Sequence, residues 1–154
     1  MIKLKIGVVD VFLLRGAAND LRVLVLRRAE GTRCTGAWEA VHGNIKPRER
    51  PEAAALREVR EETGLEVARL YSVICQPFYL HQRDAVQVAV VFAAFAETPD
   101  ALALGPEHDT AEWLRPEEAL RRLSWPRSVS ALRDALQLLR AGHAGPVEDV
   151  LRVF

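Results

Sequence analysis

The sequence predicts an α/β fold in which a sheet of mixed strands is covered by helices on both sides. Three observations predict it. Apolar β-type runs alternate with helical patterns along the chain, with no linker and no internal repeat. One strong helix, over residues 51–63, is bounded by residues that start and stop helices. The chain has 154 residues, 49% hydrophobic and 27% charged, which suffices for one domain over 1–154 with a buried core.

Taken in order, residues 5–14 and 21–28 read as strands, and the turn-rich RGAAND separates them. Residues 30–36 form a loop and 38–41 a short extended piece. Pro51 suits the first turn of the helix, where its missing N–H costs nothing, and Gly64 suits the position just past the end. Two longer strands follow, over 67–80 and 85–97. Beyond a loop with proline and glycine come a short strand over 111–114 and a short helix over 116–123. The last helix, 126–141, carries Val129, Leu132, Leu136 and Leu139 at helical spacing.

Composition excludes several classes. Lys plus Arg equals Asp plus Glu at 21 each, so no net field draws the chain to nucleic acid, and no stable nucleic-acid binding is expected. Cys34 and Cys75 show no metal or redox spacing and read as reduced thiols. MIKLKIGVVDVFLL resembles a signal peptide, but Asp10 interrupts it and no clear cleavage site follows. No run approaches the ~20 apolar residues of a membrane span. The chain reads as cytoplasmic, with no membrane partner.

The stretch GNIKPRERPEAAALREVREETGL poses the chemical question. It gathers Glu58, Glu61 and Glu62 near a helix end, where mutual repulsion and the helix dipole both disfavour them. At about 100° per residue, Glu58 and Glu62 share one side, with Glu61 on their flank. Leu56, Val59 and Thr63 form a separate stripe expected to face the sheet, so the carboxylates flank the buried edge. Their oxygens can converge on a hard divalent cation, which removes the repulsion; magnesium favours such ligands. A solvated acidic helix end is the alternative for three glutamates taken alone.

The surrounding residues decide between these. Gly43, Glu49 and then Arg57-Glu58-Val59-Arg60-Glu61-Glu62-Thr63-Gly64-Leu65 resemble the Nudix box throughout. The resemblance implies an α/β/α sandwich with a mixed sheet, and hydrolysis of a nucleoside diphosphate linked to another moiety. It also implies Mg²⁺ as cofactor, with Mn²⁺ as a substitute. On that basis Glu58 and Glu62 are the principal metal ligands, Glu61 a further or water-mediated one, and Arg57 a fork that holds a glutamate. Glu49 becomes a supporting residue outside the helix. Gly43 allows close backbone approach to substrate, and the His42 carbonyl, rather than its ring, reaches the metal. The sequence leaves open whether Glu61, Glu58 or a downstream acid takes the proton.

Substrate signals lie outside the box. Trp38-Glu39-Ala40-Val41-His42-Gly43 lacks the Pro-Gly pair common in the family, like the bacterial dihydroneopterin triphosphate/dATP pyrophosphohydrolases. Those proteins also have pairs similar to Glu107-His108, Trp113-Leu114 and Ser124-Trp125. The resemblance makes Glu107 a third metal ligand and a base, and Arg27 and Ser124 substrate contacts; Ser124 equally suits a helix N-cap. Trp38, Phe78 and Tyr79 suit either base stacking or the core. The implied reaction turns a nucleoside or pterin triphosphate into a monophosphate and pyrophosphate. ADP-ribose or a dinucleoside polyphosphate is the alternative substrate, and a non-catalytic nucleotide-binding regulatory module is the alternative class. A homodimer is left open.

Overall fold

The computed structural model describes residues 1–154. Seven strands form one sheet: β1 (Lys3–Arg15), β2 (Arg22–Arg28), β3 (Trp38–Glu39), β4 (Val41–Asn44), β5 (Val67–Leu80), β6 (Ala85–Ala96) and β7 (His108–Leu114). The main order is β3-β2-β1-β6-β5, with β4 on β1 and β7 on β2. Only β1 and β6 run parallel, so the sheet is mixed, as the sequence predicts.

The site grows out of a split in this sheet. β1 and β2 pair only at Leu14↔Val23 and Arg15↔Arg22. Beyond that point they part, and the segment after the 29–37 loop fills the gap. Trp38 and Glu39 pair with β2, whereas residues 41–44 pair with β1. The extended piece expected over 38–41 is therefore two strands hinged at Ala40, and it straps the two halves of the sheet together.

Helices cover both faces. α1 (Pro51–Thr63) starts at Pro51 and ends at Gly64, whose φ of 70° is the left-handed conformation glycine tolerates, with its N–H on Arg60 O at 2.9 Å. Its Ala54, Ala55 and Val59 close a core with Val9, Val11, Leu13, Leu24 and Leu26. On the other face lie α2 (Pro116–Arg122) and α3 (Pro126–Leu139). There Leu132, Leu136 and Leu139 pack with Phe12, Leu14, Val25 and Tyr71. Each buried Leu or Val contributes roughly 1.5–3 kcal/mol of transfer free energy. A final turn, α4 (Glu148–Leu151), brings Arg152 and Val153 onto the outer edge of β5 at Leu70 and Tyr71. No helix is long and apolar enough to cross a membrane.

Candidate active site

The last two turns of α1 face the strap. Glu62 is buried, and its Oε2 accepts the backbone N–H of His42 at 3.2 Å. This corrects the expected helix faces: Glu62 belongs to the buried side with Val59 and Thr63, because the strap closes over it. Glu58 lies against Gly43, where a Cβ would come 2.0 Å from its Cδ. Only glycine leaves room for that carboxylate.

Arg57 organises the outer side. Its Nε and Nη2 fork the two oxygens of Glu49 at 2.8 and 3.0 Å, and Nη2 also donates to Asn44 O at 2.8 Å. Its Nη1 reaches Glu58 Oε1 at 2.7 Å and Glu61 Oε2 at 3.2 Å. The guanidinium thus ties the loop before α1 to the helix carboxylates. The hydrogen bonds from Arg57, and then from the Lys46 N–H, push the Glu49 carboxyl down to about 2.

Opposite Glu62, His108 is buried at the start of β7. Its Nε2 lies 3.0 Å from Glu39 Oε1, which also receives Arg28 Nη1 at 2.9 Å. Burial works to raise Glu39, but the hydrogen bonds of His108 and Arg28 outweigh it and hold the carboxyl below its ordinary range. Glu39 is therefore an acceptor for Arg28, and the His108 ring is anchored to it through Nε2, leaving Nδ1 on the opposite side of the ring. That atom faces Glu62 Oε1 at 3.5 Å, and neither atom has a hydrogen-bond partner. Glu62, Glu107 and His108 can each offer one ligand atom within 4.8 Å of the others.

Electrostatics give this cluster its character. Burial first, then the charges of Glu107, Glu58 and Glu39, push the Glu62 carboxyl up to about 10. Without a cation, Glu62 holds its proton at neutral pH. Buried orphaned atoms, gathered oxygen ligands and one imidazole nitrogen suit a divalent cation, so the donor set fits the metal the motif implies.

A cleft of about 830 Å³ opens beside these groups, lined by residues of the strap, α1, the β5–β6 hairpin and the start of α3. Its floor holds a second buried acid. Asp10 Oδ1 lies 2.6 Å from His42 Nδ1, and Oδ2 accepts from Arg127 Nη1. Burial works to raise Asp10; His42 and Arg127 outweigh it and leave it lowered. Asp10 in turn holds His42 above its ordinary value, against burial. The Arg127 guanidinium stands 4.5 Å over the Phe78 ring.

A NUDIX domain model matches residues 5–135. The chain belongs to the Nudix family. Among its relatives, CTP pyrophosphohydrolase of Escherichia coli strain K12 is 30% identical over 80% of this chain and 87% of its own. A protein called octanoyltransferase from Myxococcus xanthus is 32% identical over 75% of this chain, which spans only 32% of that protein's length. A C. elegans Ap4A hydrolase structure superposes with a TM-score of 0.72 at 20% identity, covering 86% of this chain and 96% of that one.

The fold sets Glu58 and Glu61 on Arg57 and places Glu107 with Glu62 and His108, while Gly43 and His42 lie against Glu58 and Glu62, Glu49 holds Arg57, and Gly64 closes the helix. It does not bring Arg27 or Ser124 into the cleft. Arg27 pairs with Asp109 at 2.9 Å outside it; its neighbour Arg28, on the opposite side of β2, lines the cleft. Ser124 does not cap α3, whose N-cap is Trp125; its Oγ accepts the Trp38 N–H at 2.9 Å and its own N–H donates to Trp38 O at 3.0 Å. That reciprocal pair fastens the start of the strap. The His42 ring, beside the backbone role expected of this residue, holds Asp10. Sequence reasoning missed Asp10, Glu39, Arg28, Arg127 and the ring of His108. Two carried a usable signal: Asp10 and Glu39 are acids within apolar β-runs, where a buried charge requires a partner.

Proposed function

We propose that the chain is a divalent-cation-dependent pyrophosphohydrolase that converts a nucleoside or pterin triphosphate to a monophosphate and pyrophosphate. The orphaned Glu62–His108 pair, with Glu107 beside it at the cleft, carries this reading. Glu58, Glu61, Glu62, Glu107 and the His42 carbonyl would hold Mg²⁺ or Mn²⁺, with His108 Nδ1 as a further ligand. When bound, the cation polarises phosphoryl oxygens and lowers the pKa of water.

The remaining tasks fall to this chain's own groups. Arg57 keeps Glu58 in place. Arg28 and Arg127, both lining the cleft, meet the anionic oxygens that shield phosphorus and that accumulate charge as pyrophosphate leaves. Glu107, exposed at the cleft and close to the cluster, takes the proton from the attacking water. Phe78 and Trp125 wall the cleft for a planar ring.

A dinucleoside polyphosphate is the second reading. Arg83, on the β5–β6 hairpin, lines the same cleft as Arg28 and Arg127, and such a spread of cations suits a longer phosphate chain. The test is a panel of nucleoside triphosphates, dihydroneopterin triphosphate, dinucleoside polyphosphates and ADP-ribose with Mg²⁺, with products identified. Monophosphate plus pyrophosphate from a triphosphate is expected. Orthophosphate with a diphosphate product contradicts the reaction, and preference for ADP-ribose or a dinucleoside polyphosphate moves the substrate. Tight binding without turnover makes the chain a regulatory module.

A further inference from the structure

β1 changes faces at Gly7. Ile6 pairs with Val88 and Val8 with Ala89, so β1 spends one residue more than β6 there, and Gly7 is the bulge. A one-residue slip turns every preceding side chain to the other side of the sheet. Val8 and Ala89 belong to the core beneath α2 and α3. Ile6 and Val88 therefore face the α1 side, and Leu4, paired with Val86, follows by alternation. Across β6, Val86 and Val88 sit opposite Tyr79 and Pro77 of β5. Lys5 points the other way, over Gln87 of the cleft wall, and Lys3, two residues earlier, shares that side.

The bulge thus builds an apolar sheet face from Leu4, Ile6, Val86, Val88 and Tyr79. The core beneath α1 begins only at Val9, so no helix covers this end. Leu4 is 73% exposed, Ile6 64% and Tyr79 53%. Three large, exposed side chains on one sheet face make a patch of the few-hundred-Å² class, roughly 300–600 Å², that on soluble proteins is often functional. A strand alternating apolar and basic residues normally has its apolar side covered.

We propose that this face is a homodimer interface, with two copies packing it against itself about a two-fold axis. The area supports it: with a polar rim, the patch approaches the ~800 Å² per partner that a stable complex buries. A two-fold contact needs a patch that complements itself, and an apolar face with polar groups only at its edge, where Tyr79 donates to Asp84, does. The formal net charge of +0 sets no repulsion between copies. Charge also chooses the geometry. Pairing the free β1 edges antiparallel about Leu4 would set Lys3 against Lys5 of the copy, so the copies pack face to face. Both lysines point away from the face, which leaves it without the basic rim that an anionic membrane would attract.

Sedimentation velocity on the full chain tests this. The wild type is expected to dimerise at micromolar to ~100 µM concentration, and Leu4→Glu to weaken dimerisation by at least ~30-fold, as loss of a central anchor does. Lys3→Glu, which changes charge on the opposite face, should leave the dimer intact. Leu4 is exposed, so the variant should match the wild type's circular dichroism. A Leu4→Cys variant lacking Cys34 and Cys75 should form a disulfide-linked dimer under mild oxidation. A wild type monomeric at ~100 µM, or a Leu4→Glu chain as dimeric as the wild type, overturns the proposal.

Discussion

His108 Nδ1 and Glu62 Oε1 face each other at 3.5 Å, each buried and each without a hydrogen bond. Neither position is an accident of loose packing. Glu39 fixes the His108 ring through Nε2, and the His42 N–H fixes the other oxygen of Glu62. Two rigidly held, buried polar atoms left unsatisfied cost roughly 1–3 kcal/mol each. A cation between such groups offsets that cost.

Glu62→Gln should therefore slow Mg²⁺-dependent turnover by about two to three orders of magnitude, the effect of losing ~3–4 kcal/mol of transition-state stabilisation. The metal-free fold should be unharmed, since Glu62 is protonated there and glutamine resembles the neutral acid. Glu52→Gln removes a charge from the first turn of the same helix and should retain most activity. Normal turnover by Glu62→Gln would place the metal site elsewhere.

The raised Glu62 carboxyl also predicts a pH trend in EDTA. Its folded pKa of about 10 lies above the unfolded 4.5. Between these values the native state holds a proton that the unfolded state has released, so this group's contribution to stability falls as pH rises. The slope is at most ~1.4 kcal/mol per pH unit, and each kcal/mol corresponds to roughly 2–4 °C at this chain length. Thermal melts from about pH 6.5 to 8.5 should show the wild type losing several degrees relative to Glu62→Gln. Parallel curves would mean that Glu62 is ionised in the empty site.

Much of the fold was legible because local chemistry encodes it. Pro51 and Gly64 mark both ends of α1, and the strands expected over 67–80 and 85–97 occupy Val67–Leu80 and Ala85–Ala96. β7 begins at His108, earlier than the expected 111, because pairing with Arg28 recruits residues of poor β-propensity. The clustering of Glu58, Glu61 and Glu62 was legible because the box spaces them on one helix. The remainder depends on contacts between distant segments. Arg27 and Arg28 are adjacent, and only the facing of β2 sends the second into the cleft. The burial of Glu62 depends on the strap folding over α1, and Ser124 meets Trp38 from 86 residues away. No periodicity within one element contains such information.

Gly43→Ala tests the close approach at the strap. The added methyl would meet Glu58 Cδ at 2.0 Å, and Arg57 holds that carboxylate at 2.7 Å, so Glu58 must be pushed aside. Such overpacking costs about 1–3 kcal/mol, or roughly 2–12 °C in melting temperature. Turnover should fall further than stability, because the displaced group is a proposed metal ligand. A variant with wild-type Mg²⁺ affinity would show that Glu58 serves packing alone.

Arg57→Lys separates charge from geometry. Lysine keeps the positive charge but cannot fork Glu49 while also reaching Glu58, Glu61 and the Asn44 carbonyl. Arg57 touches no reacting atom in this reading; it is a positioning residue. Losing such an outer support should weaken metal binding or turnover by about 10- to 100-fold. A second readout distinguishes this from general damage. Glu49 is held down to about 2 mainly by Arg57, below its unfolded 4.5. Its stabilising contribution is therefore present above about pH 4.5 and lost as pH falls through about 2. Arg57→Lys should raise the Glu49 carboxyl toward its ordinary value, visible in a carboxyl NMR titration, and flatten the acid side of the stability profile. If turnover falls while Glu49 still titrates near 2, Arg57 acts on the chemistry by another route than holding these carboxylates.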